Sequence, residues 1–534
     1  MKSLLFYSLP VILISMNACT SKDSLLPQVE QTMLKATQHM VEEVGTEGGY
    51  VWYYLPDLSR RWGEMEAYPT MIWFQHPGTV SMGHLFLDAF QVTGNEYYYQ
   101  AASKAASAVV EGQRPEGGWN YTYDFAGEQS LISWYEQIGK NGWRLEEFQH
   151  YSANSTFDDK VTADAARFLL RMYLERKDPI IHEALQKAIE FVLISQYSNG
   201  GWPQRYPIPS SDHDPAGKQY AAFFTFNDDV IWENIHFLVQ CYQNLSKADY
   251  ANAIRRGMDF YLLSQDGSGA WAEQYDLELN PAGARTYEPL ALRPSTTFKN
   301  AMLLARFYEL TGDRKFLDAI PSAISWLEQV KLPDSSTAGG KYSHATFVEI
   351  GTNRPIYVHR KGSNVKYGYY YHDYRDTLLL GHYGGKGFID IDALRKTYDR
   401  MANLDLKKDS GNVFNDPSGH FELKSMQPAA DFDSIEIQEI MQELDEKGRW
   451  LSIGAMISNP YIGEGQLQEP TDGYATTNVG DATDTSPFRD ESDQEYISTA
   501  VYIKNMRLLL DYLRKHDGSL TEAEELLFLT SPVR

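Results

Sequence analysis

The fold is decided by the stretch Gly200-Gly201-Trp202-Pro203-Gln204-Arg205-Tyr206-Pro207, a glycine-rich turn with a large aromatic residue after its two glycines. The same punctuation recurs along the chain at Gly48-Gly49-Tyr50, Gly117-Gly118-Trp119, Gly269-Ala270-Trp271 and Gly339-Gly340-Lys341-Tyr342. From one aromatic marker to the next, the chain advances by 69, 83, 69 and 71 residues. Such a period is typical of repeated supersecondary units, so the sequence predicts a repeat architecture.

The segments between the turns have the apolar period of helices. One unit has a helix over 80–92, a short polar turn and a second helix over 97–112, and another has helices over 294–310 and 315–330. Each unit is therefore a helical hairpin, and hairpins bury their apolar faces by stacking as an open solenoid or as a closed ring. Because the chain has a handful of imperfect units and no visible polar capping repeats, we predict an all-α fold. We expect an (α/α) toroid, a barrel of helical hairpins with long loops at one rim.

Three segments depart from the repeat. The interval of 83 residues contains an apparent insertion over 132–154, and residues 460–493 are rich in Gly, Thr, Asp and Glu, which predicts a long irregular excursion. A last helix over 496–513 is expected to pack back onto the ring. We predict that residues 19–534 form one domain, since no linker separates the units.

Residues 1–18 predict a processed leader. A basic start at Lys2 is followed by an apolar run over 4–14 and by Met16-Asn17-Ala18-Cys19, which resembles a bacterial lipoprotein signal. The apolar run is too short for a membrane span, which needs about 20 residues. We expect membrane attachment only through lipid on Cys19, at the outer membrane or the cell surface. Simple secretion, including to the periplasm, is the alternative.

Composition excludes several classes of function. The chain has 48 Lys and Arg against 72 Asp and Glu, a net charge of −24, which argues against a nucleic-acid partner because phosphate contacts need a basic face. An acidic ligand is repelled too, unless a cation intervenes. Cys241 is the only cysteine after the leader, so an internal disulfide framework and a Cys-based zinc site are excluded. We expect a monomer.

The glycine-rich turn at 200–207 is the first candidate site. Trp202 and Tyr206 supply flat apolar faces on a loop fixed by two prolines, which suits stacking against sugar rings. A well-packed structural turn explains the same residues equally well.

Two acidic segments are the next candidates. Thr156-Phe157-Asp158-Asp159 and Thr225-Phe226-Asn227-Asp228-Asp229 each stand directly before a helix, where a carboxylate caps free backbone N–H groups. Because equivalent ends of neighbouring hairpins face one rim, carboxylates from both segments are also suited to a shared hard cation such as calcium, which takes six to eight oxygen ligands. Arg285 and Arg354 are the cationic candidates, each in a short loop framed by Gly and Pro, although a lone loop arginine is usually solvated or salt-bridged.

Taken together, these segments resemble the pectate lyases of polysaccharide lyase family 10. The resemblance runs from about Gly48 to Lys366, and its motifs occur in the family's order: Thr156-Phe157-Asp158, residues 200–207, Thr225-Phe226-Asn227-Asp228, Ala270-Trp271 with Glu273-Gln274, residues 284–289 and residues 349–356. It implies an (α/α) toroid that cleaves polygalacturonate, an acidic polysaccharide, by calcium-assisted β-elimination.

The resemblance also implies residue roles. Arg285 corresponds to the catalytic base, Asp228 to the calcium carboxylate, Asp158 to a further carboxylate at the substrate, and Arg354 to a partner of the substrate carboxylate. An arginine is a strained choice of base because its free pKa is above about 12; crowding by Arg354, calcium and desolvation is expected to lower it.

The sequence departs from the family pattern at 290–297 and 366–375. Two alternatives therefore stay open: the substrate is a different uronate polymer, or the activity is lost. One alternative is a glycoside hydrolase with Glu273, Glu288 or Asp159 as its acid and base. Another is a non-catalytic surface glycan binder in which Trp202, Trp119 and Trp271 line a groove.

Overall fold

A computed structural model of the chain describes residues 25–139, 151–208, 220–245, 250–285, 287–333, 338–361, 369–379, 384–403, 434–458, 487–490 and 492–516. The predicted leader over 1–18 and Cys19, which follows it, lie outside these ranges. Much of the predicted insertion over 132–154 and most of the predicted excursion over 460–493 also lie outside them.

Helices make up the body of the protein, and the two helices of each hairpin run in opposite directions. In chain order they are α1 (Leu26–His39), α2 (Thr79–Thr93), α3 (Glu96–Glu111), α4 (Glu128–Gln137), α5 (Val161–Arg176), α6 (Pro179–Ile194), α7 (Val230–Leu245), α8 (Tyr250–Leu263), α9 (Pro294–Thr311), α10 (Arg314–Asp318), α11 (Ile320–Gln329), α12 (Ile391–Ala402), α13 (Ser434–Glu443) and α14 (Thr499–His516). α1 continues into one π-helical turn, Met40–Val44.

The helical hairpins follow local sequence signals. Gly94 and Gly312 adopt the left-handed conformation, each with φ of 68°, at the ends of α2 and α9, where a residue with a Cβ is strained. The next helices are capped by side chains: Asn95 accepts a hydrogen bond from the backbone of α3, and Asp313 accepts one from α10. The predicted helix over 315–330 is interrupted at Ala319, after which Pro321 stands in the first turn of α11.

An inner layer of helices is enclosed by an outer one. α2, α5, α7 and α9 follow one another around the inside, α14 packs against α2, and α12 packs against α9. α1, α3, α6, α8, α11 and α13 form the outer layer. One continuous apolar core fills the space between the two layers, and seven tryptophans with less than 2% exposure belong to the largest buried side chains.

The glycine-aromatic turns fasten each unit to the next. The indole Nε1 of Trp119, Trp202 and Trp271 donates to the carbonyl ten residues earlier, at 2.7, 2.8 and 2.9 Å, on the outer helix that the turn follows. Each turn then docks on the next outer helix: Gly200, with φ of 100°, lies so close to the Arg256 carbonyl on α8 that a Cβ does not fit.

The same device closes the ring. Trp450 Nε1 donates to the Ile440 carbonyl at 2.8 Å, ten residues earlier on α13, and Gly448 in this turn packs on the Lys35 carbonyl of α1. Lys35 Nζ also donates to the Asp445 carbonyl at 2.9 Å. The last outer helix therefore docks on the first, which confirms the predicted all-α (α/α) toroid and makes it closed.

Short strands lie at the rim where outer helices end and inner helices begin. They are β1 (Tyr53–Tyr54), β2 (Arg61–Trp62), β3 (Glu66–Ala67), β4 (Met71–Trp73), β5 (Thr122–Asp124), β6 (Ser155–Thr156), β7 (Arg205–Tyr206), β8 (Phe224–Thr225), β9 (Gln274–Tyr275), β10 (Pro281–Ala282), β11 (His344–Ala345), β12 (Phe347–Val348), β13 (Pro355–Lys361), β14 (Tyr369–Asp373), β15 (Lys386–Gly387), β16 (Leu451–Ile453), β17 (Met456–Ser458), β18 (Pro487–Arg489) and β19 (Glu495–Ser498). The largest sheet has the order β16-β19-β1-β2-β3, and a three-stranded sheet has the order β10-β9-β8.

Two expectations near the C-terminal end are corrected. The predicted helix over 496–513 is present as α14 but begins three residues later, after strand β19, and α14 is an inner helix of the ring rather than an addition to it. The end of the predicted irregular excursion contains β18, which pairs with β17. Among the helices of the described ranges, none has the combination of length and apolar character that crossing a membrane requires.

Candidate active site

The site is built on two turns of nearly identical backbone. We define the first turn as residues 156–160, which lead into α5, and the second turn as residues 225–229, which lead into α7. Asp159 has φ of 47° and ψ of 28°, and Asp228 has φ of 49° and ψ of 27°. The following residues, Lys160 and Asp229, are also left-handed, with φ of 62° and 60°. Four non-glycine residues in this region indicate stored backbone strain, which is common at functional sites.

The neighbouring strands hold the two turns in equivalent places. β6 pairs with β7 before the first turn, and β8 pairs with β9 before the second. The threonine hydroxyl of each turn accepts a backbone hydrogen bond from the residue two positions on, at 3.1 Å for Thr156 and 3.0 Å for Thr225. Lys160 of the first turn reaches Asp229 of the second at 3.8 Å, so the turns adjoin.

Arg285 lies where the two turns meet. Its guanidinium contacts Asp158 of the first turn at 3.4 Å and Asp228 of the second at 4.0 Å. Glu288 is the third carboxylate in contact with Arg285. Its Oε1 lies 2.7 Å from Nη2 of Arg285, and its Oε2 accepts a hydrogen bond from the Arg285 backbone N–H at 3.0 Å. The arginine side chain is 1% exposed and that of Asp228 is 34% exposed, so solvent reaches this group of charges from the Asp228 side.

Asp158 is held by a buried hydrogen bond as well as by the ion pair. The Tyr121 hydroxyl donates to its Oδ2 at 2.6 Å, and burial together with the Asp158 charge raises the pKa of Tyr121 well above its usual value. Oδ1 of Asp158 is buried and has no hydrogen-bond partner among the described residues. A buried carboxylate oxygen without a partner is unfavourable, so this oxygen is suited to a ligand that brings a donor or a cation.

A cavity of about 590 Å³ is bordered by Asp228. It is lined by the left-handed residues of both turns and by the first turn of α9, including Thr296, Lys299 and Asn300. Its volume lies within the range of small-molecule sites, about 300–1,000 Å³. The cavity and Arg285 share Asp228, which makes them parts of one cleft.

Arg354 lies elsewhere on the same rim. It is exposed in the turn between β12 and β13, and its guanidinium stacks 3.5 Å from the centre of the Tyr374 ring. The neighbouring Asn353 accepts a hydrogen bond from Trp326 of the outer helix α11 at 3.1 Å. The contacts described for Arg354 therefore connect it to the outer part of the rim. The expected crowding of Arg285 by Arg354 is not observed, and carboxylates occupy the places around Arg285.

Trp202 was expected to present an exposed ring face to a sugar, but its side chain is buried. Its side chain is 0% exposed and its indole is hydrogen-bonded within the turn, so a sugar ring has no face to stack on. Trp119 and Trp271 are equally buried. The structure therefore contradicts Trp202 as a substrate platform and the tryptophan-lined groove of a glycan binder, because these residues fasten the repeat.

The carboxylates considered for a hydrolase all have polar partners. Glu288 pairs with Arg285, Glu273 pairs with Arg293, and Asp159 accepts a 2.5 Å hydrogen bond from Gln75. A glycoside hydrolase needs a carboxylic acid placed to protonate the leaving oxygen, whereas these carboxylates contact arginine or amide side chains of the protein. The arrangement is less suited to hydrolysis than to chemistry around an arginine.

Sequence reasoning missed Tyr121 as a site residue. Tyr121 follows Trp119 by two positions, as Gln204 follows Trp202 and Glu273 follows Trp271. The backbone carbonyls of Gln204 and Glu273 accept hydrogen bonds from Phe157 and Phe226 of the two turns, at 2.9 and 2.8 Å. Alignment of the repeats on tryptophan is the signal that places position 121 beside the site.

The donor set allows a test of the implied calcium ion. Within the described ranges, no group of three His, Cys, Asp or Glu side chains is arranged to hold a metal. Asp228 has an accessible carboxylate, and the partnerless Oδ1 of Asp158 is a hard oxygen donor. These residues fit a calcium ion that completes its shell with water and substrate oxygens, and they do not form a closed protein cage.

Comparisons with known proteins give a family match. Residues 133–376 match the pectic acid lyase family, which includes both turns and Arg285. The match covers less than half of the chain and agrees with the resemblance that the sequence motifs indicate. None of the curated proteins compared with the chain matches it.

Solved structures with similar folds were also found. A mutant of the family 10 polysaccharide lyase from Cellvibrio cellulosa, in complex with trigalacturonic acid, is 17% identical over 60% of this chain and 97% of that one, with a TM-score of 0.40. A sugar epimerase from a ruminal bacterium is 12% identical over 58% and 73% of the two chains, with a TM-score of 0.37. The cellobiose 2-epimerase from Spirochaeta thermophila is 12% identical over 62% and 76%, with a TM-score of 0.36.

Proposed function

We propose that this pectate lyase-like chain cleaves an acidic uronate polymer by calcium-assisted β-elimination, with Arg285 as the base. The observation that carries the proposal is the meeting of Arg285 with Asp158 and Asp228, which come from separate units of the ring. The trigalacturonic acid in the complex with the Cellvibrio cellulosa lyase supports a polygalacturonate-like substrate.

The reaction removes the proton at C5 of a uronate residue. The electron pair of the C5–H bond forms the C4–C5 double bond, the C4–O bond breaks, and the leaving oxygen takes up a proton. The step is difficult because the carboxylate next to C5 is already negative, and more negative charge develops there in the transition state. Fixed positive charge at this carboxylate therefore accelerates the step.

Asp228 and Asp158 would hold a calcium ion, which would supply that positive charge at the substrate carboxylate. The protein's own contribution is the placement of oxygen donors beside a buried guanidinium. A cation at these carboxylates also reconciles a chain of net charge −24 with an acidic polymer.

The most difficult requirement of the proposal is that Arg285 loses a proton before it acts as the base. Three carboxylates surround its guanidinium in this structure, and they favour the protonated form. A base must first lose this proton. We infer that a cation held by Asp228 and Asp158 in the substrate complex would weaken the contacts of these two carboxylates with Arg285 and so would favour loss of the proton to solvent.

Polygalacturonate turnover tests the proposal, measured by the ultraviolet absorbance of the unsaturated product. We expect turnover with calcium, loss with a chelator and recovery when calcium is restored. Arg285→Ala is expected to lower kcat by about 10²–10⁴, the usual contribution of a general base. Arg176→Ala, at the far end of α5 in a surface pair with Glu96, is the matched control and retains the wild-type rate.

The outcomes separate the alternatives. New reducing ends without the chromophore indicate hydrolysis, and binding without turnover indicates a glycan binder. Calcium-independent turnover contradicts the role of Asp228, and an Arg285→Ala variant with the wild-type rate contradicts the base.

We also propose that lipid on Cys19 attaches the protein to the bacterial cell envelope. The supporting observation is the sequence Met16-Asn17-Ala18-Cys19 after an apolar run. Expression of the full chain, followed by detergent-phase partitioning, tests it. The wild type is expected in the detergent phase and Cys19→Ala in the aqueous phase, and equal partitioning of both proteins contradicts lipidation.

A further inference from the structure

The cavity beside Asp228 has a charge pattern that does not match a uronate. Five acidic and four basic side chains line it, so the described lining has no excess of positive charge. His76 adds none at neutral pH because burial and the nearby Arg507 lower its pKa. Away from a cation held by Asp228, a carboxylate that enters such a cavity loses its hydration and finds no surplus of cationic side chains in exchange.

Each cation of the lining already has an acidic partner. Arg293 pairs with Glu273, and Lys299 Nζ lies 3.2 Å from Asp229. Both cations belong to the start of the α9 unit, where the chain departs from the family pattern at 290–297.

The two cations contributed by the first turn and α5 are paired as well. Lys160 lies 2.9 Å from Glu233, and Arg167 contacts the same carboxylate at 2.5 Å. Arg167 also pairs with Asp164. An anionic ligand must therefore break an ion pair before it gains one.

Two buried amides in the lining lack partners. Asn227 and Asn300 are 5% and 3% exposed, and Nδ2 of each has no hydrogen-bond partner among the described residues. A buried N–H donor without a partner is unfavourable, so both donors point to an occupant. Sugar hydroxyl groups suit this lining because a hydroxyl accepts from an amide and also donates to a carboxylate.

We propose that this cavity is a subsite for a neutral sugar residue of the substrate. The inference rests on the proposed lyase function, because Asp228 borders both the cavity and Arg285 and so places the neutral residue next to the uronate that reacts. The substrate is then a polymer in which a uronate is joined to neutral sugars, in alternation or as branches. Homogeneous polygalacturonate is a poorer ligand for the same cleft.

Calorimetric binding tests the subsite without turnover. Two hexasaccharides are titrated into the calcium-loaded Arg285→Ala protein, one made only of galacturonate and the other of alternating galacturonate and rhamnose. We expect the alternating ligand to bind about tenfold more tightly, which corresponds to about 1.4 kcal/mol. Arg285→Lys provides a second inactive background if the alanine variant does not fold.

Substitution of the cavity lining identifies the source of the preference. Asn300→Ala, in either inactive background, is expected to bring the ratio of the two dissociation constants close to one, and Thr296→Val is expected to reduce it. Asn403→Ala, at the exposed end of α12, is the matched control and keeps the tenfold ratio.

The outcomes of the two proposals differ. Equal or tighter binding of the all-uronate ligand overturns the subsite, as does a preference that Asn300→Ala leaves intact; water alone then fills the cavity. Turnover of polygalacturonate by the wild type leaves the lyase function standing in that case. A tenfold preference with Asn300 dependence supports the subsite even where turnover is absent, and then only the lyase function fails.

Discussion

The first turn and the second turn have backbone angles within two degrees of each other at Asp159 and Asp228, and yet their carboxylates have different tasks. In the first turn, Asp158 is buried against Arg285 and Tyr121, and Asp159 is hydrogen-bonded to Gln75. In the second turn, the counterpart of Asp158 is Asn227, and Asp228 faces Arg285 from the solvent side. The repeat therefore supplies a scaffold, while the loop that carries Arg285 decides which carboxylate becomes functional.

The largest expected contrast concerns the first acidic position of each turn. Asp158→Asn removes one partner of a buried ion pair with side chains 0% and 1% exposed, which costs about 3–5 kcal/mol of the free energy of unfolding. Asn227→Ala in the second turn is expected to cost less than about 1 kcal/mol because its Nδ2 has no partner to lose. Denaturant unfolding of the two variants measures the difference, and similar losses in both turns contradict it.

The second position gives the next contrast, this time in activity. Asp228→Asn is expected to lower kcat/KM by about a hundredfold because it removes a charge beside Arg285 and the cation. Asp159→Asn keeps the same left-handed backbone and is expected to change kcat/KM by less than about threefold. The ultraviolet assay measures both, and the calcium concentration for half-maximal rate is expected to rise only in Asp228→Asn. A larger loss in Asp159→Asn reverses the assigned roles.

The third position of the two turns, Lys160 and Asp229, gives the smallest effect. The effect is on the free energy of unfolding, and it depends on pH. Burial opposes ionisation of Glu233, but Arg167 and Lys160 outweigh it and hold the pKa of Glu233 below its usual value of 4.5. A lowered pKa contributes stability that is present above about pH 4.5 and is lost as the pH falls through the folded-state pKa. Lys160→Met is therefore expected to lower the unfolding free energy by about 1 kcal/mol at pH 7.

The difference between wild type and Lys160→Met is expected to vanish as the pH falls well below 4.5, because Glu233 is then protonated in both proteins. Asp229, the counterpart of Lys160 in the second turn, provides the control. Asp229→Asn leaves the pair of Lys160 and Glu233 in place, so it is expected to retain the wild-type pH dependence below 4.5. A gap between wild type and Lys160→Met that stays constant with pH contradicts the electrostatic origin.

Much of the ring was readable from the sequence because glycine-aromatic spacing reports the repeat directly. The last unit, which closes the ring, was not readable from the sequence. Its marker is the single Gly448 before Arg449 and Trp450, and part of the unit is irregular in sequence. Asp158, Asp228 and Arg285 were predicted as one site, and the structure brings them together.

The sequence was least informative where one residue type serves two purposes. A tryptophan after two glycines suits sugar stacking and repeat packing alike, and only the burial of Trp202 decides between them. Arg354 illustrates a second limit: the sequence predicts that it lies in a short loop, but the position of that loop depends on the hairpin of β13 and β14. Tyr121 contributes through a contact with Asp158 across 37 residues, which no local pattern indicates.

The alternation of helix direction has a consequence for how the enzyme faces its surroundings. Outer helices run toward the rim that carries Arg285, so Leu26, at the start of α1, lies at the opposite rim. Cys19 precedes Leu26 by seven residues, a tether of at most about 25 Å. If the proposed lipid is attached at Cys19, it would hold the protein at the rim opposite Arg285, so that the cleft faces away from the bilayer.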